Sequence, residues 1–216
     1  MDRVKKIIHT DYAYRSGLSG QNITVAVMDT GIVPHPDFED RIIYFKDFCN
    51  GRNEMYDDNG HGTHVSGIIA GNGKMSEQYV KGTAHNVRRY SGVAPRCKII
   101  MLKVLDENGN GNTKKVLDAV NWVKANRKLH HIRILNISVG MLPGAGLEEQ
   151  RKLLHAIDEL WDEGIMVVAA AGNNGPKENT VTIPGISRKV LTVGSSDDDT
   201  SDHGRKVLKT HNFPFW

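Results

Sequence analysis

Short apolar runs, mostly rich in β-branched residues, alternate along this chain with amphipathic stretches. Runs that are hydrophobic almost throughout are typical of strands buried on both faces, and the stretches between them indicate covering helices. We therefore predict the α/β class, with a mostly parallel sheet and helices on both faces. The six predicted strands are residues 23–29, 41–48, 98–105, 133–139, 165–171 and 190–194.

Two of the intervening stretches have a clear helical period. Residues 113–129 follow Asn112, a favourable N-cap residue, and residues 147–163 end at Gly164. Their apolar stripes are most simply explained by core packing. The polar stretch 71–91 lacks periodicity and predicts a surface loop.

Composition limits the classes of partner. The 216 residues, 39% of them hydrophobic, suffice for one domain with a substantial core. Because 28 basic and 25 acidic residues are mixed along the chain, we expect no nucleic-acid partner. No apolar run reaches the ~18 residues of a spanning helix, and the N-terminus does not resemble a secretory signal. We therefore expect no membrane partner and a cytoplasmic location.

The cysteine content fits that location. Cys49 and Cys97 lie in apolar strand contexts. They are expected to be free, buried thiols, with a single disulfide as the alternative.

Asp29 ends the first predicted strand and is followed by Thr-Gly. Its carboxylate should emerge at the carboxyl edge of the parallel sheet, where catalytic and ligand groups collect. By itself, such an aspartate is more simply a turn or cap residue. A histidine further along the chain favours the catalytic interpretation of Asp29 over the turn or cap interpretation.

The segment 59–67, NGHGTHVSG, predicts the start of a helix with two histidines on one face. His64 lies four residues before Ile68 and is predicted to be a buried, hydrogen-bonded structural histidine. His61, in the exposed first turn, is predicted to be the reactive imidazole, with Asp29 binding its Nδ1. The alternative is a zinc-binding pair, which would permit metal-dependent hydrolysis, but no glutamate is placed as in HExxH.

A third motif follows the fifth predicted strand. Residues 169–173 end in Gly-Asn, so the side-chain amide of Asn173 could face a developing oxyanion. A glycine–asparagine turn without a catalytic role is the simpler interpretation of this motif alone.

Taken together, VMDTG, NGHGTHVSG and AAAGNNGP, with GVAP at 92–95 and NISVG at 136–140, resemble the subtilisin-like serine proteases, or subtilases. The resemblance runs from about residue 20 to about residue 204, with aspartate before histidine as in that family. It implies a subtilisin-like three-layer fold and a serine endopeptidase, a hydrolase with a catalytic triad. It also implies that Asp29 and His61 are the triad acid and base and that Asn173 is the oxyanion donor.

The same resemblance implies a set of substrate-binding residues. The segment that would line the primary specificity pocket and pair with the substrate backbone is Ser138, Val139 and Gly140. The facing segment is Gly109, Asn110 and Gly111, and an extended peptide would lie as a strand between the two. Ala170 and Gly172 are expected to form part of the pocket wall.

The chain departs from the family pattern at the nucleophile. No Gly-Thr-Ser-Met-Ala-type segment follows residue 204, and Ser195, Ser196 and Ser201 lie in an acidic loop. We therefore expect an N-terminal segment at 1–20, an incomplete catalytic domain at 21–204 and an aberrant tail at 205–216. A truncation or frameshift would explain the missing C-terminal part, and the chain alone is expected to be inactive.

These departures set the expected cofactors and partners. The triad route requires no cofactor and no metal; calcium stays open and unassigned, because residues 71–91 lack the usual side-chain pattern. The expected partner is a peptide or protein substrate, together with a complementing segment or self-association that would cover exposed core. The alternative function is a pseudo-protease module that binds peptides without catalysis.

Overall fold

The computed structural model describes residues 2–79, 90–141, 146–175 and 177–195. Within these residues the strands are β1 (Thr24–Asp29), β2 (Ile42–Asp47), β3 (Lys98–Lys103), β4 (Ile132–Ile137), β5 (Met166–Ala170) and β6 (Leu191–Val193). The helices are α1 (Asp2–Ile7), α2 (Thr10–Arg15), α3 (His61–Ala70), α4 (Lys74–Tyr79), α5 (Thr113–Asn126) and α6 (Leu147–Asp162).

All six strands belong to one sheet with the order β2-β3-β1-β4-β5-β6, and every neighbouring pair is parallel. Five of these strands fall within a predicted span and β4 begins one residue before its span, so the α/β class with a parallel sheet is confirmed. The carboxyl ends of β1, β3, β4 and β5 consequently lie at one edge of the sheet. Functional groups that follow these strands are therefore neighbours.

The side chains of β1 divide between two hydrophobic clusters. Ala26 and Met28 face the larger cluster, which includes α5 and α6, whereas Val25 and Val27 face the smaller one, which includes α3. This alternation is the period of a strand covered on both faces. The predicted three-layer arrangement is thus confirmed.

The two long helices form as their sequence signals predict. The side chain of Asn112 accepts a hydrogen bond from the amide of Lys115 and caps α5. Gly164 follows the C-cap of α6 with a φ of +84°, a backbone conformation in which glycine is favoured.

Both cysteines are free, but their environments differ. Cys97 is buried and Cys49 is half-buried, so the expectation of two buried thiols is wrong for Cys49. The reason is local: Cys49 lies beyond the end of β2, in a turn where its amide donates to Asp47.

The region predicted as a surface loop is only partly described. Residues 74–79 form α4, so the prediction of a loop is wrong there. Residues 80–89, the acidic cluster at 197–199, Ser196, Ser201 and the tail 205–216 lie outside the described residues. In the part that is described, no helix combines the length and apolar character needed to span a membrane.

Candidate active site

The end of β1 and the start of α3 bring Asp29 and His61 into contact. Nδ1 of His61 and Oδ1 of Asp29 are 2.7 Å apart. The Asp29 side chain is fully buried, whereas that of His61 retains 15% of its exposure. With Nδ1 bound to the carboxylate, the ring is held in one orientation, and Nε2 is the nitrogen left to accept a proton.

The same contact tunes the basicity of the imidazole. The hydrogen bond that His61 donates to Asp29 raises the pKa of His61; burial opposes this, and the charges of Asp29 and Asp57 add to it. An imidazolium formed at this position is therefore stabilised. This is the property that a general base requires when it takes a proton from a nucleophile.

Asp57 connects the two elements that carry the pair. Its Oδ1 accepts hydrogen bonds from Thr30 Oγ1 and the Gly60 amide, both at 2.8 Å. Its Oδ2 accepts from Thr63 Oγ1 at 2.6 Å and the Thr63 amide at 2.8 Å. Burial acts to raise the pKa of Asp57, but these hydrogen bonds outweigh it and hold that pKa below its ordinary value. Asp57 thus bonds simultaneously to the turn after β1 and to the first turn of α3.

A buried lysine connects a third segment, the end of β3, to the residues around Asp29 and His61. Lys103 ends β3 in register with Asp29 and has no exposed surface. Its Nζ donates to the carbonyl oxygens of Thr30 at 2.5 Å and Leu105 at 2.8 Å, and to Asp58 Oδ1 at 2.7 Å. Sequence patterns did not indicate this residue as part of the site. Its only signal was a single lysine inside an apolar strand.

Gly62 permits the close approach of α3 to β1. A Cβ at this position would lie 2.2 Å from the carbonyl oxygen of Gly31 and 3.1 Å from Cβ of Asp29. The Gly62 amide also donates to Thr30 Oγ1 at 2.9 Å. A side chain here would push the histidine-bearing turn away from the aspartate.

An open cavity of about 310 Å³ lies against His61. It is lined by eight of the predicted site residues, namely His61, Gly109, Asn110, Gly111, Ser138, Val139, Gly140 and Asn173. The 109–111 and 138–140 segments lie outside the strands. The structure therefore brings both predicted substrate segments, the histidine and the asparagine to one cavity.

The Peptidase S8 model, described as the subtilase family, matches residues 20–211. The chain belongs to the subtilase family. The resemblance inferred from the three motifs is confirmed, and with it membership of a family of serine endopeptidases.

Similar subtilases include longer proteins. The chain is 39% identical over 210 residues to serine protease AprX of Bacillus subtilis, covering 93% of this chain and 45% of AprX. It is 34% identical over 192 residues to the minor extracellular protease Epr of the same organism, covering 88% of this chain and 26% of Epr. Among solved structures, sphericase matches with a TM-score of 0.67 and 28% identity, covering 81% of this chain and 53% of that chain. The chain thus spans about half or less of the length of these proteins.

Two predicted wall residues of the subtilase site, Ala170 and Gly172, do not line the cavity. Thr182, which is only 3% exposed, lies against Gly172. The expectation that Ala170 and Gly172 form part of the primary specificity pocket wall stays a prediction. Sequence spacing could not show that a residue ten positions later would fill the gap.

The cavity also contains residues that the motifs did not indicate. These are Thr30, Asn59, Leu105, Asn112, Val116 and Met141. Each lies within four residues of a predicted site residue or on the first turns of α5. Adjacency to the motifs was the only signal that could have found them.

The prediction that His64 is buried is wrong, because its side chain is exposed. The buried residues of α3 are Gly62, Ser66 and Ala70, spaced by four, which places them on one face. His64 projects from roughly the opposite side. The small residues allow α3 to lie close to the sheet, and the prediction had instead followed the larger residue Ile68.

Two other features of the described residues concern the zinc alternative and the position of Ser195. Among the residues described, no group of three or more His, Cys, Asp or Glu side chains could hold a metal ion. Ser195 is exposed and lies in irregular chain beyond β6.

Proposed function

We propose that this chain is the acid–base and substrate-binding part of a subtilisin-like serine endopeptidase. The observation that supports this most directly is the 2.7 Å contact between His61 Nδ1 and Asp29 Oδ1, beside a cavity that Asn173 also lines. Nε2 of His61 would take the proton of an attacking serine hydroxyl and return it to the leaving amine. The amide of Asn173 would donate to the oxyanion formed on the peptide carbonyl.

The proposed substrate is an extended segment of a peptide or protein. The 109–111 and 138–140 segments line the same cavity and lie outside the strands, so their backbones can pair with a peptide strand. Gly111 lies within 2.7 Å of Leu105 at its Cβ position, so this edge cannot carry a larger residue without moving. Strand addition requires a segment whose backbone N–H and C=O groups are accessible to the peptide.

We propose that the 216 residues by themselves do not cleave peptides through an acyl-enzyme, because they contain no Gly-Thr-Ser segment. In triads of this type, loss of the nucleophile removes about as much activity as loss of the whole triad. A fluorogenic peptide assay and a fluorophosphonate probe on the purified chain test this, with His61→Ala as the control. Covalent labelling of any serine in the chain, absent in His61→Ala, would contradict the proposal.

We propose further that a complementing segment or a second copy covers the outer part of the sheet. Met166 of β5 and Leu191 and Val193 of β6 lie on one face by register and are 47%, 53% and 50% exposed. The opposite face of β5 is buried at Val167 and Ala169, and Val167 packs in the same cluster as α6. Adjacent apolar side chains of this size are typical of a surface that another element covers.

Two measurements separate the occupants of this surface. Adding the separately produced C-terminal part of a subtilase such as AprX should restore fluorophosphonate labelling, whereas self-association should appear as a concentration-dependent mass in sedimentation. A monodisperse monomer that unfolds cooperatively and gains no labelling would contradict both.

The second candidate function is a peptide-binding module without catalysis. The same two cavity segments favour it, since they need no nucleophile to hold a peptide strand. It predicts an affinity for extended peptides that survives His61→Ala and stays without turnover after complementation. Fluorescence anisotropy of labelled peptides, followed by the complementation assay, distinguishes it from the protease.

We propose that the chemistry needs no metal or cofactor and that the protein acts in the cytoplasm. The acid–base pair uses protein groups only, and the two free thiols suit a reducing compartment. Restored labelling that EDTA abolishes would contradict the first statement, and cell fractionation tests the second. A calcium titration by calorimetry tests calcium binding.

A further inference from the structure

Thr182 fills the space between the two segments that were expected to enclose the primary specificity pocket. A Cβ added to Gly140 would lie 2.2 Å from Thr182 Oγ1, and one added to Gly172 would lie 2.6 Å from Thr182 Cγ2. The threonine therefore contacts a glycine on each side. Its 3% exposure shows that little of it faces the open cavity.

The backbone around Thr182 is held on both sides. The Thr182 amide donates to the Ala171 carbonyl at 2.9 Å, and Oγ1 donates to the same oxygen at 3.3 Å. Ile183 and Met141 exchange two backbone hydrogen bonds of 2.9 Å. The backbone of this segment is thus bonded to both neighbouring segments, and a rotation of the side chain out of the gap would lose the Oγ1 hydrogen bond.

We propose that Thr182 restricts the peptide residue whose carbonyl faces Asn173 to a small side chain, that of glycine, alanine or serine. This inference rests on the proposed function and adds a substrate class to it. A peptide paired with the 138–140 segment would direct that side chain between Gly140 and Gly172. The methyl and hydroxyl groups of Thr182 occupy this space, so a larger side chain would overlap them.

Peptidyl chloromethyl ketones test the inference on the chain as it exists. Nε2 of His61 displaces chloride, so a C–N bond forms, the C–Cl bond breaks and the resulting imidazolium stays paired with Asp29. The side chain next to the reactive ketone is then the one that must enter the gap. The reagents are the acetylated Ala-Ala-Ala and Ala-Ala-Phe chloromethyl ketones, with rates normalised to their reaction with N-acetylhistidine.

Peptide mapping by mass spectrometry gives the rate at each histidine, and exposed His64 on the same helix is the internal control. In the wild type, the alanine reagent should alkylate His61 about tenfold or more faster than the phenylalanine reagent. Thr182→Ala should largely remove this preference, whereas Thr182→Val, which retains the volume, should keep it. If Thr182→Ala does not fold, Thr182→Ser removes only the methyl group that faces Gly172.

The outcomes separate this inference from the proposed function. Equal rates for the two reagents at His61, both above the rate at His64, would overturn the inference and leave the peptide site intact. A preference unchanged in the folded Thr182→Ala or Thr182→Ser variant would also overturn it. Alkylation of His61 no faster than that of His64 by either reagent would refute the peptide site, and the inference with it.

Discussion

Replacing Gly62 with alanine should move His61 away from Asp29 and destabilise the chain. The added Cβ would lie 2.2 Å from the Gly31 carbonyl oxygen, whereas real Cβ contacts essentially never fall below 3.0 Å. The start of α3 must therefore retreat from β1 by roughly 1 Å, because the opposing atom belongs to the backbone and cannot rotate away. His61, one residue before Gly62, moves with it.

The expected change in the free energy of unfolding of Gly62→Ala follows from two opposing effects. Overpacking of this kind costs about 1–3 kcal/mol of the free energy of unfolding. Replacing glycine by alanine in a helix gains about 0.5–1 kcal/mol. Gly67 of the same helix has nothing within 4 Å of its Cβ position, so Gly67→Ala should show the gain alone. The difference between the two variants isolates the overpacking cost of about 1–3 kcal/mol.

Urea unfolding of both variants measures that difference, and NMR of the imidazole reports the pair. Lengthening the 2.7 Å contact weakens the interaction that raises the pKa of His61, so this pKa should fall in Gly62→Ala and stay unchanged in Gly67→Ala. Equal stabilities within about 0.5 kcal/mol would refute the steric argument. An unchanged pKa in Gly62→Ala would refute the coupling between helix position and the pair.

Three further predictions concern ionisable groups. Because the pKa of His61 is raised, its pairing with Asp29 adds stability that is full below about pH 6.5 and is lost as pH rises through the folded-state pKa. The unfolding free-energy difference between wild type and Asp29→Asn should therefore shrink with increasing pH. Lys103→Met leaves two buried carbonyl oxygens without their donor and should cost about 3–5 kcal/mol in urea unfolding, so a loss below ~1 kcal/mol would contradict its role. Burial raises the pKa of Cys97 to about 11, so Ellman's reagent should modify it only on unfolding, in contrast to Cys49.

The proximity of Asp29 and His61 could be predicted because it follows from topology. A residue that ends a central parallel strand lies at the carboxyl edge of the sheet, and a glycine-flanked helix start can approach that edge. The chain order of the motifs and their match to a known family then supply the roles. No knowledge of side-chain packing is needed for either step.

Residues that act through packing could not be predicted in this way. Thr182 matters because two glycines, 42 and 10 residues earlier in the sequence, leave a gap that it fills. Lys103 matters because three separate segments direct oxygen atoms at its ammonium group. The roles of Thr182 and Lys103 depend on contacts between segments that are distant in the sequence. The periodicity of the sequence does not reveal such contacts.

The pair is organised independently of the part of a subtilase that would carry the serine. Asp57 and Lys103 hold Asp29 and His61 through contacts confined to residues 29–105. The exposed apolar face lies instead on β5 and β6, at the far end of the sheet from β3. An uncovered sheet end would therefore promote association through β5 and β6 before it disturbed the pair. The raised pKa of His61 should consequently be measurable in the isolated chain, and complementation should change it only through the nucleophile that arrives beside Nε2.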